Sequence, residues 1–152
     1  MVQIKLSKDS NGYPVGEHIR EYFNLSREIG TIINENFPEK SITLWCRGSS
    51  GAIIAALVSQ HIFAGVEICH IKKSGENAHI SIPTPQHDIN IIIDDLMASG
   101  DTVEAIYVAM KKDKITPIGI IMTGDLKIYK LKQILGKKYE KLKLLVGGII
   151  FN

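Results

Sequence analysis

The 152-residue sequence lacks any long apolar run, and this absence excludes a membrane-spanning helix. A helix needs about 18–20 consecutive apolar residues to cross a bilayer, and no run here approaches that length. The first ten residues, MVQIKLSKDS, also lack the apolar stretch of a signal peptide. We therefore expect a cytoplasmic protein that has no membrane partner.

Several sequence motifs are missing as well, and each absence removes a class of protein. There is no G-x-x-x-x-G-K-S/T phosphate loop, no G-x-S-x-G nucleophile turn and no internal repeat. The sequence contains only two cysteines, Cys46 and Cys69. They are too far apart in the chain for the short spacing of a zinc or redox motif. Each lies at the end of an apolar run, which predicts buried free thiols.

The composition that remains is that of one folded domain over residues 1–152, with 45% hydrophobic and 22% charged residues. The charge is unevenly distributed. Residues 1–110 hold 8 Lys/Arg and 13 Asp/Glu, net −5, whereas residues 111–152 hold 10 Lys and 3 Asp/Glu, net +7. Because these lysines alternate with apolar residues, the pattern indicates solvated faces of a helix and a strand, and it makes a nucleic-acid partner the less favoured interpretation.

Apolar periodicity predicts alternating strands and helices. The predicted strands cover 2–6, 42–46, 66–71, 89–93, 117–122 and 142–146, and the predicted helices cover 15–37, 51–63, 102–112 and 126–138. A polar break at 24–26 leaves open whether the first helix is one helix or two. Strands that read as continuous apolar runs between helices indicate an α/β fold, with about five core strands in a parallel sheet and helices on both faces.

Unusual polar residues follow three of the predicted strands. Arg47 follows the first core strand, Lys72 and Lys73 follow the second, and Asp94 and Asp95 follow the third. In parallel sheets, ligands bind in the crevice beyond the carboxyl ends of the strands. We therefore expect these charged side chains to meet at one binding site.

The stretch IIIDDLMASGDT contains the most informative of these residues. Two adjacent carboxylates repel each other and lose solvation near a core, so Asp94 and Asp95 call for a functional reason. The small residues from Ala98 to Thr102 then turn into a helix, whose unpaired N–H groups form an anion site to which the Ser99 and Thr102 hydroxyls add donors. Carboxylates beside an anion site suit a sugar phosphate.

This stretch resembles the phosphoribosyl-pyrophosphate signature of type I phosphoribosyltransferases. WCRGSSGA resembles the pyrophosphate loop of that family, which often carries a cis peptide, here between Arg47 and Gly48. Residues 72–88 are placed like its flexible catalytic loop, so the resemblance spans about residues 41–123. It implies a Rossmann-like core over about 41–150, preceded by a small N-terminal hood or helical segment over about 1–38.

The resemblance also implies roles for individual residues. Asp94 and Asp95 would hold the ribose hydroxyls, directly or through water bound to Mg²⁺, and would be the metal-associated residues. Lys72 or Lys73 would close over the diphosphate as it leaves. The other implied substrate-binding residues are Arg47, Gly48 and Ser49 for the pyrophosphate and Ala98, Ser99, Gly100, Asp101 and Thr102 for the 5′-phosphate; the implied catalytic residues are Arg47, Lys73, Asp94 and Asp95.

The implied reaction transfers 5-phosphoribosyl from phosphoribosyl pyrophosphate to a purine or pyrimidine nucleobase and releases pyrophosphate. Ala98 stands where the hypoxanthine–guanine enzymes have a carboxylate, so the resemblance favours the orotate or adenine branches. A nucleobase or a nucleoside monophosphate is the implied second ligand, and Tyr13, Tyr22 and Phe23 are candidates for the hood that binds the base. A homodimer with residues around Arg47–Ala56 near the interface is also implied.

A second function remains open. A non-catalytic regulator would keep the pocket as a sensor of phosphoribosyl pyrophosphate or nucleotide and would bind nucleic acid through the basic residues 111–143. Arg47, Lys72 and Lys73 favour the enzyme, because these cations suit a departing diphosphate.

Overall fold

The computed structural model describes residues 1–5, 18–71, 88–147 and 150–151. Four α-helices and eight short strands alternate along this part of the chain. The strands are β1 (Val2–Lys5), β2 (Ile42–Arg47), β3 (Val66–Ile71), β4 (Ile89–Asp94), β5 (Gly119–Met122), β6 (Leu126–Lys127), β7 (Lys143–Val146) and β8 (Ile150–Phe151). The helices are α1 (Ile19–Asn36), α2 (Gly48–Ser59), α3 (Asp101–Lys112) and α4 (Ile128–Leu135), and a 3₁₀ helix covers Gly136–Lys141.

Six strands form one parallel sheet in the order β1-β7-β5-β4-β2-β3. The register places Ile42 of β2 beside Val66 of β3 on one side and beside Ile89 of β4 on the other. Strands β6 and β8 pair separately, also in parallel. The expected α/β fold with a parallel sheet is confirmed.

Helices cover both faces of this sheet, and strand β4 shows how the sequence produces the arrangement. Ile91 and Ile93 pack with α1 and α2 in one apolar cluster, whereas Ile92 packs with α3 and α4 in a second cluster. Successive side chains of a strand point to opposite faces, so an uninterrupted apolar run is needed where both faces are covered. The III run at 91–93 therefore lies in a central strand.

Some predicted boundaries differ from the observed ones. Helix α1 is continuous through 24–26, because Leu25 and Ser26 are buried against the core and favour the helical path there. Helix α2 begins at Gly48 and not at residue 51, so residues 48–50 belong to its first turn. The predicted helix 126–138 divides into β6, α4 and the 3₁₀ helix, because Gly136 adopts a positive φ of 55° at the end of α4.

The described parts of the expected hood segment, 1–38, pack with the core. Strand β1 lies at the edge of the main sheet beside β7, and the buried face of α1 belongs to the same apolar cluster as α2. Residues 6–17, which include Tyr13, lie outside the described residues. No helix in the described ranges is long and apolar enough to cross a membrane.

Candidate functional site

A cavity of about 530 Å³ opens where the strand order of the sheet reverses. The chain runs from β2 out to the edge strand β3 and then returns to β4 on the other side of β2, so the carboxyl ends of β2 and β4 diverge into α2 and α3. Such switch points are where open α/β sheets bind ligands. The described lining residues are Arg47, Ser49, Ser50, Asp94, Asp95, Leu96, Met97, Ala98, Ser99, Gly100, Asp101, Thr102 and Val103.

Asp94 ends strand β4 and is 6% exposed. Its Oδ1 accepts a hydrogen bond of 2.9 Å from the backbone N–H of Asp95. The start of helix α2 also approaches this carboxylate, because a Cβ placed on Gly51 would lie 3.4 Å from Asp94 Oδ1. The partial positive charge of a helix N-terminus stabilises a nearby carboxylate. The fold therefore accommodates a charge that burial alone would disfavour.

Asp95 continues into a loop that is hydrogen-bonded to the segment after β5. Its carboxylate accepts a 2.8 Å bond from the N–H of Leu96, and its carbonyl oxygen accepts bonds from the Gly124 N–H and from the Thr123 hydroxyl, the latter at 3.2 Å. The N–H of Thr123 donates to the carbonyl of Asp94 at 3.2 Å. The acidic pair is therefore held by a second strand end that the sequence motif does not include.

The loop that follows has the geometry expected of an anion site. Gly100 adopts a φ of 93°, which side chains disfavour, and it caps the start of helix α3. The Ser99 hydroxyl accepts a 3.2 Å bond from the N–H of Asp101, and the ammonium group of Lys127 donates to the carbonyl of Ala98. The first N–H groups of a helix have no partner within the helix. Because Ser99 accepts the bond from Asp101, the N–H groups of Thr102 and Val103, which line the cavity, are the donors left for an anion.

The turn after β2 contributes the cationic side of the cavity. Arg47 Nε is buried and has no hydrogen-bond partner among the described residues, and Gly48 has a positive φ of 74°. Gly48 is not one of the described lining residues, and its carbonyl oxygen lies 3.1 Å from the Nε2 of His70. The expected cis peptide between Arg47 and Gly48 is wrong, since the described peptide bonds are all trans and the positive φ of Gly48 makes the turn instead.

Two buried thiols lie on opposite faces of the sheet, Cys46 on the face covered by α1 and α2 and Cys69 on the face covered by α3 and α4. Cys46 and Cys69 are both free, as the sequence predicted. Burial, and then the negative charge of Asp94, raises the pKa of Cys46 to about 12. Burial also raises the pKa of Cys69 to about 12, with smaller contributions from Cys46, Glu67 and Asp113. Both side chains are therefore neutral thiols near pH 7.

The predicted site residues largely meet at this one cavity. Of the predicted catalytic and phosphoribosyl-pyrophosphate-binding residues that the structure describes, all except Gly48 line it. Lys72 and Lys73 lie outside the described residues. Tyr22 is not free to form a base-binding hood, because its side chain is 1% exposed and its hydroxyl lies 3.3 Å from Thr123 Oγ1. Phe23, in contrast, is 52% exposed.

The sequence interpretation did not identify several residues at the site. Ser50 and Met97 line the cavity, Lys127 contacts its loop, and His70 contacts its turn. Ser50 could have been included from its place in the RGSS turn. Lys127 and His70 come from other strands and have no local signal.

The acidic pair is the candidate for holding a divalent cation. The described residues contain no group of three or more His, Cys, Asp or Glu side chains that could hold a metal by themselves. Mg²⁺ commonly takes one or two carboxylates together with substrate oxygens and water. Asp94 and Asp95 at the cavity wall fit that mode of binding.

Comparison with solved structures identifies the fold. A hypoxanthine-guanine phosphoribosyltransferase from Bacillus anthracis is 18% identical with a TM-score of 0.56, and the match covers 70% of this chain and 67% of that one. Orotate phosphoribosyltransferase from Francisella tularensis is 14% identical with a TM-score of 0.61, over 85% of this chain and 66% of that one. Orotate phosphoribosyltransferase from Mycobacterium tuberculosis, in complex with 5-phospho-α-D-ribosyl 1-diphosphate, is 13% identical with a TM-score of 0.57, over 86% and 79%.

No protein-family model matches the chain, and no curated protein matches its sequence. At identities of 13–18%, the structural matches concern the fold. The chain therefore has the fold of the type I phosphoribosyltransferases.

Proposed function

We propose that the protein is a magnesium-dependent phosphoribosyltransferase, which transfers 5-phosphoribosyl from phosphoribosyl pyrophosphate to a nucleobase and releases diphosphate. One observation carries the proposal: the carboxylates of Asp94 and Asp95 and the loop at the start of α3 line the same cavity. Carboxylates accept hydrogen bonds from ribose hydroxyls, and a helix start binds a phosphate. The two features together match a ribose 5-phosphate.

The side chains divide the work of the proposed reaction. Breaking the bond between C1′ and the diphosphate leaves positive charge on the ribose ring and negative charge on the leaving group. Asp94 and Asp95 hold the ribose, the loop 98–102 holds its 5′-phosphate, and Arg47 faces the diphosphate. Arg47 Nε is buried without a partner among the described residues, an arrangement that a ligand oxygen would complete. Catalysis then consists of positioning and charge neutralisation.

Mg²⁺ would supply a further positive charge to the diphosphate oxygens when it is bound. Asp94 and Asp95 would hold it, mainly through water, since two carboxylates suit an ion that keeps most of its other ligands from substrate and solvent. We propose that Lys72 and Lys73, outside the described residues, close over the diphosphate and that Lys73 takes part in catalysis. The acceptor is a purine or pyrimidine, with the orotate or adenine type favoured because Ala98 places no carboxylate beside the base.

We also propose a homodimer with residues around Arg47–Ala56 near the interface. On helix α2, Ile53 is half-buried and Ala56 is exposed, so the helix retains apolar surface after folding. Light scattering at working concentration should give twice the monomer mass of 16.8 kDa. A monomer mass would refute the dimer without affecting the assignment of the cavity.

A turnover screen tests the enzymatic proposal. The purified protein is incubated with phosphoribosyl pyrophosphate, Mg²⁺ and a panel of nucleobases, and release of diphosphate and nucleotide is followed. Diphosphate released with one base, and abolished by chelating Mg²⁺, is the expected result. If no base is turned over although calorimetry shows binding of phosphoribosyl pyrophosphate, the enzymatic proposal is wrong and a sensor remains.

The alternative is a sensor that binds nucleic acid, and one observation favours it. The lysines at the end of α3 and in the 3₁₀ helix are exposed, so they are accessible to the phosphate groups of a nucleic acid. The exposed lysines at the end of α3 and in the 3₁₀ helix are Lys111, Lys112, Lys114, Lys137, Lys138 and Lys141. RNA or DNA binding that weakens steeply with salt would support this second function.

A further inference from the structure

We infer that His70 is a positioning residue that orients the diphosphate-binding peptide at the start of helix α2. This inference rests on the proposed function, because it concerns the diphosphate half of the same cavity. His70 lies on β3, the edge strand beside β2, and its Nε2 is 3.1 Å from the carbonyl oxygen of Gly48. None of the residues of the phosphoribosyl-pyrophosphate signature is involved in this contact.

The register of the sheet explains why His70 reaches this carbonyl. His70 is paired with Cys46, the residue before Arg47, so it stands level with the end of β2. Along β3, Ile68 packs on the face covered by α1 and α2, whereas Cys69 packs on the opposite face. Alternation of side chains therefore turns His70 toward α2, whose first residue is Gly48.

Gly48 is the first residue of α2, so its carbonyl already accepts the helical bond from the N–H four residues on, and the bond from His70 is a second restraint on the same peptide plane. A carbonyl only accepts hydrogen bonds, so His70 must donate from a protonated Nε2. The carbonyl of Gly48 and the N–H of Ser49 belong to the same peptide unit. In a trans peptide these two groups point in opposite directions. Holding the carbonyl toward β3 therefore directs the Ser49 N–H away from β3.

Two features make this orientation matter for a ligand. Ser49 lines the cavity, and its N–H is one of the groups at a helix start that have no acceptor within the helix. Gly48 has a φ of 74°, and glycine is the residue with the most freedom to rotate out of such a conformation. A fixed donor binds an anion more tightly than one that must first be ordered. His70 supplies that restraint from outside the cavity.

Substitution by asparagine and by glutamine separates positioning from general stability. The glutamine amide nitrogen can take the place of Nε2, whereas the shorter asparagine cannot reach it. We expect His70→Asn to weaken binding of inorganic diphosphate with Mg²⁺ by about five- to tenfold, as loss of one hydrogen bond predicts. His70→Gln should stay within about twofold of wild type, since it retains the donor. Binding of ribose 5-phosphate, held at 94–102, should be unchanged in both variants.

A spectroscopic measurement and a matched variant complete the test. In the ligand-free protein at pH 8, the ¹⁵N signals of His70 should show a proton on Nε2. His61→Asn, beyond the C-terminal end of α2 and therefore at the opposite end of that helix from the cavity, should leave diphosphate affinity unchanged. The inference is overturned if His70 carries its proton on Nδ1, if His70→Asn binds diphosphate as tightly as wild type, or if it loses affinity for both ligands equally.

The two proposals fail in different ways. Wild-type protein that binds ribose 5-phosphate but not diphosphate would overturn the role of His70 and leave the 5′-phosphate site intact. Wild-type protein that binds neither ligand would overturn the proposed function, and the role of His70 with it.

Discussion

The hydroxyl oxygens of Tyr22 and Thr123 lie 3.3 Å apart, although 101 residues separate them in the chain. Tyr22 comes from helix α1, and Thr123 directly follows strand β5. The Thr123 hydroxyl in turn donates to the carbonyl of Asp95, and its N–H donates to that of Asp94. Helix α1 is thereby connected to the acidic pair through one fully buried threonine.

This connection predicts an energetic coupling between Tyr22 and Thr123. Tyr22→Phe and Thr123→Val each remove one hydroxyl with little change of shape, and each should lower the free energy of unfolding by about 1 kcal/mol. Because the two hydroxyls face each other, the double variant should lose about 0.5–1 kcal/mol less than the sum of the single losses. Urea denaturation of all four proteins measures this difference. Strictly additive losses would show that the two hydroxyls do not interact.

The acidic pair gives a second prediction. Asn has nearly the same shape as Asp, so Asp94→Asn with Asp95→Asn should leave the ligand-free protein as stable as wild type or more stable, because it removes a repulsion. Transfer activity should fall by roughly 10²–10³, the usual effect of losing a well-placed electrostatic contact. Thermal melting and activity are measured on the same protein.

Asp88→Asn is the matched control for that experiment. Asp88 is exposed and lies just before the first residue of β4, at the opposite end of the strand from Asp94. Its substitution should change neither the melting temperature nor the transfer activity. A clear loss of stability in the double variant, with ligand affinity retained, would show instead that the carboxylates are structural.

Gly100 and Gly136 provide a third prediction. Gly100 has a positive φ of 93° and Gly136 one of 55°. A Cβ added to Gly100 would lie 3.5 Å from the closest atom, and a Cβ added to Gly136 would have no atom within 4 Å, so neither would clash. Alanine at either position should therefore cost about 1–2 kcal/mol of unfolding free energy for backbone reasons alone. Only Gly100→Ala should also weaken binding of ribose 5-phosphate, measured by calorimetry. Equal affinities in the two variants would remove Gly100 from the anion site.

The buried thiols predict how stability depends on pH. The pKa of both Cys46 and Cys69 is raised from 9.0 to about 12 in the folded protein, so the unfolded chain ionises first as pH rises. The stability that these neutral thiols contribute is complete below pH 9 and is lost as pH rises toward 12. At pH 10 each thiol should therefore lower the free energy of unfolding by about 1 kcal/mol relative to its value below pH 9. Tyr139, whose pKa burial also raises, acts in the same direction.

Single Cys→Ala variants isolate the thiols from the tyrosine. The difference in unfolding free energy between pH 8 and pH 10 should shrink by about 1 kcal/mol in either variant. In native wild-type protein at pH 8, a thiol reagent should react with neither cysteine until the chain unfolds. Rapid modification under native conditions would contradict the burial of these side chains.

Most of the fold and most of the candidate site could be predicted because they depend on local sequence. Strand, acidic pair, small-residue loop and helix follow one another within residues 89–112, and each has its own pattern. The roles of Tyr22 and His70 depend on which strands are neighbours and on their register. A histidine at the end of an edge strand has no periodic signal, and no local pattern connects Tyr22 with Thr123, 101 residues away.

Gly51 allows the first turn of α2 to lie close against β2 and β4. A methyl group there would lie 3.2 Å from Cys46 Cβ and 3.3 Å from the carbonyl oxygen of Ile93, closer than most such contacts in proteins. A side chain there would force Cys46, the Ile93 carbonyl or the first turn of α2 to shift by a few tenths of an ångström. The close packing of the helix turn that brings Ser49 and Ser50 to the cavity thus depends on a residue without a side chain.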